Sequence, residues 1–153
     1  MKTKIYVDTS VIGGCLDEEF EKYSNKFLLN SNVEEFIFVL SDITLLELEK
    51  APEKVKNIIN KIPKHKLELV YLDKKSIELS NKYLKEKILT KRYLEDMQHI
   101  AIATVVKVNL LVSWNFKHIV NLKKIREFNA VNLKNDYGVL EIRSPREVVS
   151  YEE

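Results

Sequence analysis

The sequence predicts an α/β fold with a mostly parallel sheet. Short apolar, partly β-branched runs alternate along the chain with longer stretches of helical periodicity, as in strand–helix–strand units. The first two strand-like runs also stop at residues that start helices, Asp8-Thr9-Ser10 and Ser41-Asp42. In such sheets, ligand sites collect in the crevice at the carboxyl ends of the strands.

In order, Ile5-Tyr6-Val7 reads as the first strand. Asp17 to Asn30 reads as a helix, with Phe20, Tyr23, Phe27 and Leu28 near one face. Phe36 to Leu40 is the next strand, and Ser41 or Asp42 caps a helix carrying Ile43, Leu45, Leu46 and Leu48. Pro52 suits the first turn of a helix over Glu53 to Lys61, which Pro63 ends. Leu67 to Leu72 alternates apolar and polar residues, as a half-buried strand does. Lys74 to Ile88 and Arg92 to Val106 are helical in pattern, and Leu110 to Ser113 is the cleanest strand after the first. A helix over Lys123 to Phe128, a strand over Val139 to Ile142 and a turn at Arg143-Ser144-Pro145 complete the reading.

The length of the chain fits one domain over residues 1–153. A domain of this size buries roughly 70% of the surface its unfolded form exposes. With 45% apolar and 31% charged residues, the composition is an ordinary globular one rather than disordered or fibrous. The longest uncharged stretch, Met97 to Val106, has ten residues, against the roughly 18 that a membrane span requires. The start, Met1-Lys2-Thr3-Lys4, shows no secretory pattern, and one cysteine forms no internal disulfide, so a cytoplasmic protein is expected. A net charge of +2 neither requires nor excludes a nucleic-acid partner.

Several residues qualify for chemistry. Asp8, behind three apolar residues, is a helix cap or a site carboxylate that needs donors or a cation close to the core. Glu47 lies on a helix apolar over much of its circumference, flanked by core or solvated beside Glu49 and Lys50. Asp96, His99, Ile100 and Ala103 follow i, i+3, i+4, i+7 spacing, which puts an acid and an imidazole on a face of small apolar residues, with Glu95 about 100° away toward solvent. Ser113, Trp114 and Asn115 are turn and cap residues or the wall of a polar site. Three carboxylates above one sheet repel each other without a cation, and hard oxygen donors select Mg²⁺ or Mn²⁺. No Gly-rich phosphate loop, G-x-S-x-G elbow or dinucleotide fingerprint is present, and Asp8 lacks the second Asp two positions on of aspartate phosphatases. Cys15 reads as a buried small thiol, and His65 as part of a basic turn.

Ile5-Tyr6-Val7-Asp8-Thr9-Ser10-Val11-Ile12, Ser41-Asp42-Ile43-Thr44 leading to Glu47-Leu48, Asp96-Met97-Gln98-His99-Ile100-Ala101 and Leu111-Val112-Ser113-Trp114-Asn115-Phe116 together resemble a PIN domain, most closely the VapC toxins of bacteria and archaea. The resemblance runs from residue 5 to 116; residues 120–153 carry no motif that it places. It implies a three-layer α/β/α fold with a central mostly parallel sheet. It also implies a metal-dependent endoribonuclease that hydrolyses RNA phosphodiesters with Mg²⁺ or Mn²⁺, a small antitoxin protein as partner, and a homodimer. Asp8, Glu47 and Asp96 match the three acids of the family's metal site, with Asn115 where a fourth acid often stands. Thr9, Ser10, His99, Ser113 and Asn115 then orient the acids. Trp114, Lys117, His118, Lys123, Lys124 and Arg126 are candidate substrate contacts. The alternatives are a catalytically weak PIN protein that binds RNA or a protein, and another Mg²⁺-dependent phosphohydrolase or DNA nuclease.

Overall fold

The alternation of side chains along the first strand decides the architecture. Because successive side chains leave a strand on opposite faces, Ile5 and Val7 point one way and Tyr6 the other, and all are buried. A strand apolar on both faces belongs in the middle of a sheet covered by helices on either side. The computed structural model of the chain, which describes residues 2–29 and 36–150, shows that arrangement. Five parallel strands, β1 (Thr3–Val7), β2 (Phe36–Ser41), β3 (Leu67–Val70), β4 (Leu110–Val112) and β5 (Ile142–Arg143), lie in the order β3-β2-β1-β4-β5. In register, Ile5 is opposite Phe38 on one side and Leu110 on the other.

The helices form the outer layers. On one face, α5 (Lys74–Lys85), α6 (Leu94–Val105) and α7 (Leu122–Lys134) bury Leu79, Tyr83, Met97, Ile100 and Phe128 against Tyr6, Val39, Leu111 and Ile142. On the other, α1 (Thr9–Gly14), α2 (Glu21–Leu28), α4 (Glu53–Asn60) and α8 (Pro145–Ser150) pack Val11, Phe27, Ile58 and Val149 against Ile5, Val7, Phe38, Leu40 and Val112. The remaining helix, α3 (Asp42–Glu49), bridges the layers, with Ile43 in one core and Leu48 in the other. From β1 the chain steps outward to β2 and β3, then returns to place β4 on the far side of β1. The winding therefore reverses between β1 and β4, and a crevice opens above their carboxyl ends.

Several boundaries differ from the sequence reading, each for a local reason. The helix expected over 17–30 begins only at Glu21: the Asp17 carboxylate accepts from the Glu19 N–H at 2.9 Å and holds the preceding residues in a turn. Asn30 lies outside the described residues. Helices α5, α6 and α7 each close on a residue of positive φ, Lys87 (59°), Lys107 (59°) and Asp136 (66°), the left-handed conformation that commonly ends a helix. Helix α7 runs to Lys134, well past Phe128, because Asn132 finds buried partners instead of breaking the helix. The strand expected over Val139 to Ile142 shrinks to Ile142–Arg143, since the Asn129 amide takes both backbone groups of Leu140, at 2.7 and 3.1 Å. Ser144 starts a helix rather than a plain turn. Its hydroxyl accepts from the Glu147 N–H while the Glu147 carboxylate accepts from the Ser144 N–H, a capping box followed by Pro145 in the first helical position. Leu45 and Leu46 do not join the core; Leu46 is 55% exposed.

Candidate active site at the carboxyl ends of the strands

Asp8 stands directly after β1 at the N-terminus of α1, with no side-chain cap bond to that helix. The carboxylate is only 6% exposed. Its Oδ2 accepts from the hydroxyls of Ser10, at 2.7 Å, and of Ser113 beyond β4, at 2.8 Å. Both hydroxyls are fixed in turn, since the Ser10 Oγ accepts from the Trp114 N–H and the Ser113 Oγ from the Asn115 N–H. Strands β1 and β4 thus hold this carboxylate at the point where the winding reverses.

Glu47 reaches the crevice from α3, whose start is fixed by a reciprocal Ser41–Thr44 cap. Its Oε1 accepts from the Thr9 hydroxyl at 2.9 Å and lies 2.5 Å from Nε2 of His99. That same Nε2 is 3.8 Å from Oδ1 of Asp8, so one buried imidazole reaches two acids. His99 Nδ1 is 2.6 Å from the Tyr6 hydroxyl, which is in turn 2.7 Å from Ser41 Oγ. Burial alone favours a neutral imidazole, but the Tyr6 oxygen, the Glu47 bond and the Asp8 charge outweigh it and raise the His99 pKa well above its ordinary value. Burial likewise pushes the Glu47 carboxyl up, and the His99 and Thr9 contacts more than reverse that and hold it below the usual carboxylate range.

Asp96, in the first turn of α6, closes the crevice from the other side. Its Oδ2 lies 3.1 Å from Nδ1 of His118 and 3.5 Å from the amide nitrogen of Asn115. Burial, and then the charge of Asp8, raise its pKa, and the His118 bond only partly opposes them. The Asn115 Oδ1 accepts from the backbone N–H groups of Lys117 and His118, at 3.2 and 3.0 Å, which fixes the amide orientation and presents its nitrogen, a donor, to Asp96.

The sheet therefore brings Asp8, Glu47, His99, Asp96, Thr9, Ser10, Ser113 and Asn115 together. His118 is buried beneath the Tyr93 ring (centroids 4.0 Å apart) and against Asp96, rather than at the surface. Trp114 is also largely buried, stacked on Phe20 at 4.4 Å with its indole N–H on Ser24 Oγ at 2.8 Å. Gly14 permits that seat, because a Cβ there would meet Ser24 Oγ at 2.5 Å and Trp114 Nε1 at 2.8 Å. Lys117, Lys123 and Arg126 are exposed, whereas Lys124 donates to the Ile88 carbonyl at 2.6 Å and is tied to the turn after α5. Cys15 is buried, its pKa pushed up to about 11 by burial, which suits an inert thiol.

Sequence reasoning missed Tyr6, Tyr93 and the exposed pair Lys91 and Arg92; the last three line a cleft of about 440 Å³ with Asp96. The signal for Tyr6 was its hydroxyl in an otherwise apolar strand, since a buried phenol needs a partner. Among the described residues no three side chains of His, Cys, Asp or Glu close on a single point. The donor set nevertheless suits a hard divalent cation. It is all carboxylate oxygen, the hydrogen bonds above engage one oxygen of each acid, and the repulsion between Asp8 and Asp96 is what a cation relieves.

No family model and no curated protein sequence matches the chain. Solved structures do. A chain of VapBC2 from Rickettsia felis, bound to a DNA fragment from its promoter, matches with a TM-score of 0.58 at 18% identity, covering 93% of this chain and 98% of that one. A chain of DNA-bound VapBC from Salmonella typhimurium matches at 0.56 and 19% identity, covering 94% and 98%. A toxin–antitoxin complex from Klebsiella pneumoniae matches at 0.53 and 15% identity, covering 74% and 88%. These likenesses establish a three-layer α/β/α PIN-like fold.

Proposed function

We propose that this chain is a metal-dependent endoribonuclease, the toxin of a toxin–antitoxin pair. One observation carries the reading: the crevice at the fold's switch point gathers Asp8, Glu47 and Asp96, each with a single carboxylate oxygen engaged in the hydrogen bonds described, a set of oxygen donors that suits a divalent cation. The fold shared with chains of VapBC complexes supports the biological setting. Asp8 and Asp96 are the proposed direct ligands of Mg²⁺ or Mn²⁺, with Glu47 a ligand directly or through water. When bound, the ion supplies water activation and neutralises charge developing on the phosphate.

The chain's own residues do the rest. Ser10 and Ser113 fix one oxygen of Asp8, and the other lies 3.8 Å from Nε2 of His99. Thr9 and His99 hold Glu47, His118 and Asn115 hold Asp96, and Lys91, Arg92 and Lys117 supply positive charge on the rim for the substrate backbone. The partners proposed are a small antitoxin and a second copy of the chain, in the cytoplasm. Among the described residues no helix is long and apolar enough to cross a membrane.

A specific observation favours a second reading. Asn115 offers a donor instead of an oxygen ligand, and Glu47 is tied to His99, as expected of a catalytically weak protein that binds RNA or a protein partner. Incubating the purified chain with structured RNA, tRNA, and single- and double-stranded DNA, with and without Mn²⁺, separates the readings. The expected result is RNA cleavage only with metal, slowed at least about 100-fold in Asp8→Asn. DNA cleavage instead indicates a different Mg²⁺-dependent hydrolase, and no cleavage by folded, metal-replete protein selects the binding reading.

A further inference from the structure

Beside the acid crevice lies a second cleft of about 360 Å³, lined by Phe20, Tyr23, Trp114, Phe116 and Arg146, with exposed Glu19 on its rim. We infer that it binds one nucleobase of a single-stranded RNA substrate, next to the phosphate presented to the acids. The inference rests on the hydrolytic reading above and extends it to the substrate's flank. Three features support it. The cleft holds ring surface: Phe20 stacks on Trp114 at 4.4 Å, Phe116 meets Trp114 edgewise at 6.1 Å, and Phe116 is 50% exposed. It also holds a cation, for the Arg146 guanidinium lies 5.6 Å from the centroid of Tyr23. Flat ring and positive charge thus stand in one cleft, the combination that suits a nucleotide. Finally, the cleft is joined to the acids by consecutive residues. Ser113 donates to Asp8, Asn115 faces Asp96, and Trp114 and Phe116, the residues between and after them, form the cleft wall.

Trp114 is the only tryptophan in the sequence, so its fluorescence reports directly on this cleft. In EDTA, a short oligoadenylate is titrated against the full chain, following Trp114 emission and the anisotropy of a labelled strand, beside an abasic strand of the same length. Oligoadenylate quenches Trp114 and the abasic strand does not. Phe116→Leu, which keeps apolar bulk but removes the ring, weakens oligoadenylate binding roughly 5- to 100-fold, and Phe116→Tyr restores it. Equal affinity of wild type and Phe116→Leu, while wild type still cleaves RNA, overturns the subsite and leaves hydrolysis standing. Ring-dependent binding by a chain that cleaves nothing overturns hydrolysis and supports the subsite. Quenching by neither strand overturns the subsite and points to a protein partner in the cleft.

Discussion

Helix α6 carries two polar clusters into the interior, and they are built in opposite ways. Toward its C-terminal end, the Tyr83 hydroxyl donates to Asn132 Oδ1, Asn132 Nδ2 lies 3.2 Å from Thr104 Oγ1, and the Thr104 hydroxyl donates to the Ile100 carbonyl at 2.8 Å. Each of these groups is neutral and bonded, and burial pushes the Tyr83 phenol up, away from ionisation. Toward the N-terminal end stand Asp96 and His99, with Asp8 and Glu47 gathered round them, all ionisable, and with Glu47 and Asp96 partly exposed. Polar groups closed on themselves specify packing, while charged groups held with oxygens to spare are arranged for something outside the chain.

On that contrast, damage to the closed cluster costs stability and damage to the open one costs activity. Asn132→Leu removes the acceptor of the buried Tyr83 hydroxyl and one donor to Thr104, and lowers unfolding free energy by about 2 kcal/mol in denaturant titration, while metal-dependent cleavage by the folded fraction is retained. Asp96→Asn does the reverse. In metal-free buffer it removes a carboxylate whose charge is disfavoured by burial and then by Asp8, and raises stability by about 1 kcal/mol, while cleavage is lost. Loss of stability in Asp96→Asn would mean that the acid cluster is structural after all.

The pH dependence is a subtler discriminator. His99 has a raised pKa in the folded chain, so its stabilisation is complete below the unfolded value of about 6.5 and drains away as pH rises through the folded value. Glu47, with a lowered pKa, contributes fully above its unfolded value of about 4.3 and loses that contribution as pH falls through its folded one. Metal-free protein should therefore lose stability from neutral toward alkaline pH, by at most about 1.4 kcal/mol per pH unit for one proton. Tyr6→Phe should flatten that slope and cost about 1 kcal/mol at neutral pH, measured by thermal melts across a buffer series.

Strand and helix periodicity was enough to read the sheet class and the order of alternation, while the grouping of Asp8 with Asp96 came from the resemblance to PIN domains. The same resemblance marked Glu47, which its surroundings in the sequence left open, and the face shared by Asp96 and His99 pointed to the imidazole. What periodicity could not express is pairing between distant side chains. His99 reads as a neighbour of Asp96, one turn away, yet its ring bonds Glu47 and Tyr6, on other elements. His118 reads as a candidate substrate contact beside Lys117, yet it lies buried under Tyr93. The C-terminal region was least legible because side chains there replace backbone pairing, as Asn129 does for Leu140. Only at Ser144 was a missed element written in the sequence, in the Ser-x-x-Glu spacing of a capping box.

The hydrogen-bonding of β1 on both edges has a consequence for how this chain can change. Tyr6 and Asp8 leave the sheet on one side because they are two residues apart, and β2 and β4 lock that parity from left and right. One residue inserted within β1 would swing Asp8 to the opposite layer, away from His99, and no adjustment of loops could bring it back. Length variation is thus confined to connections remote from the crevice, such as the turn between α4 and β3, while β1 acts as a fixed ruler from which the acid is measured.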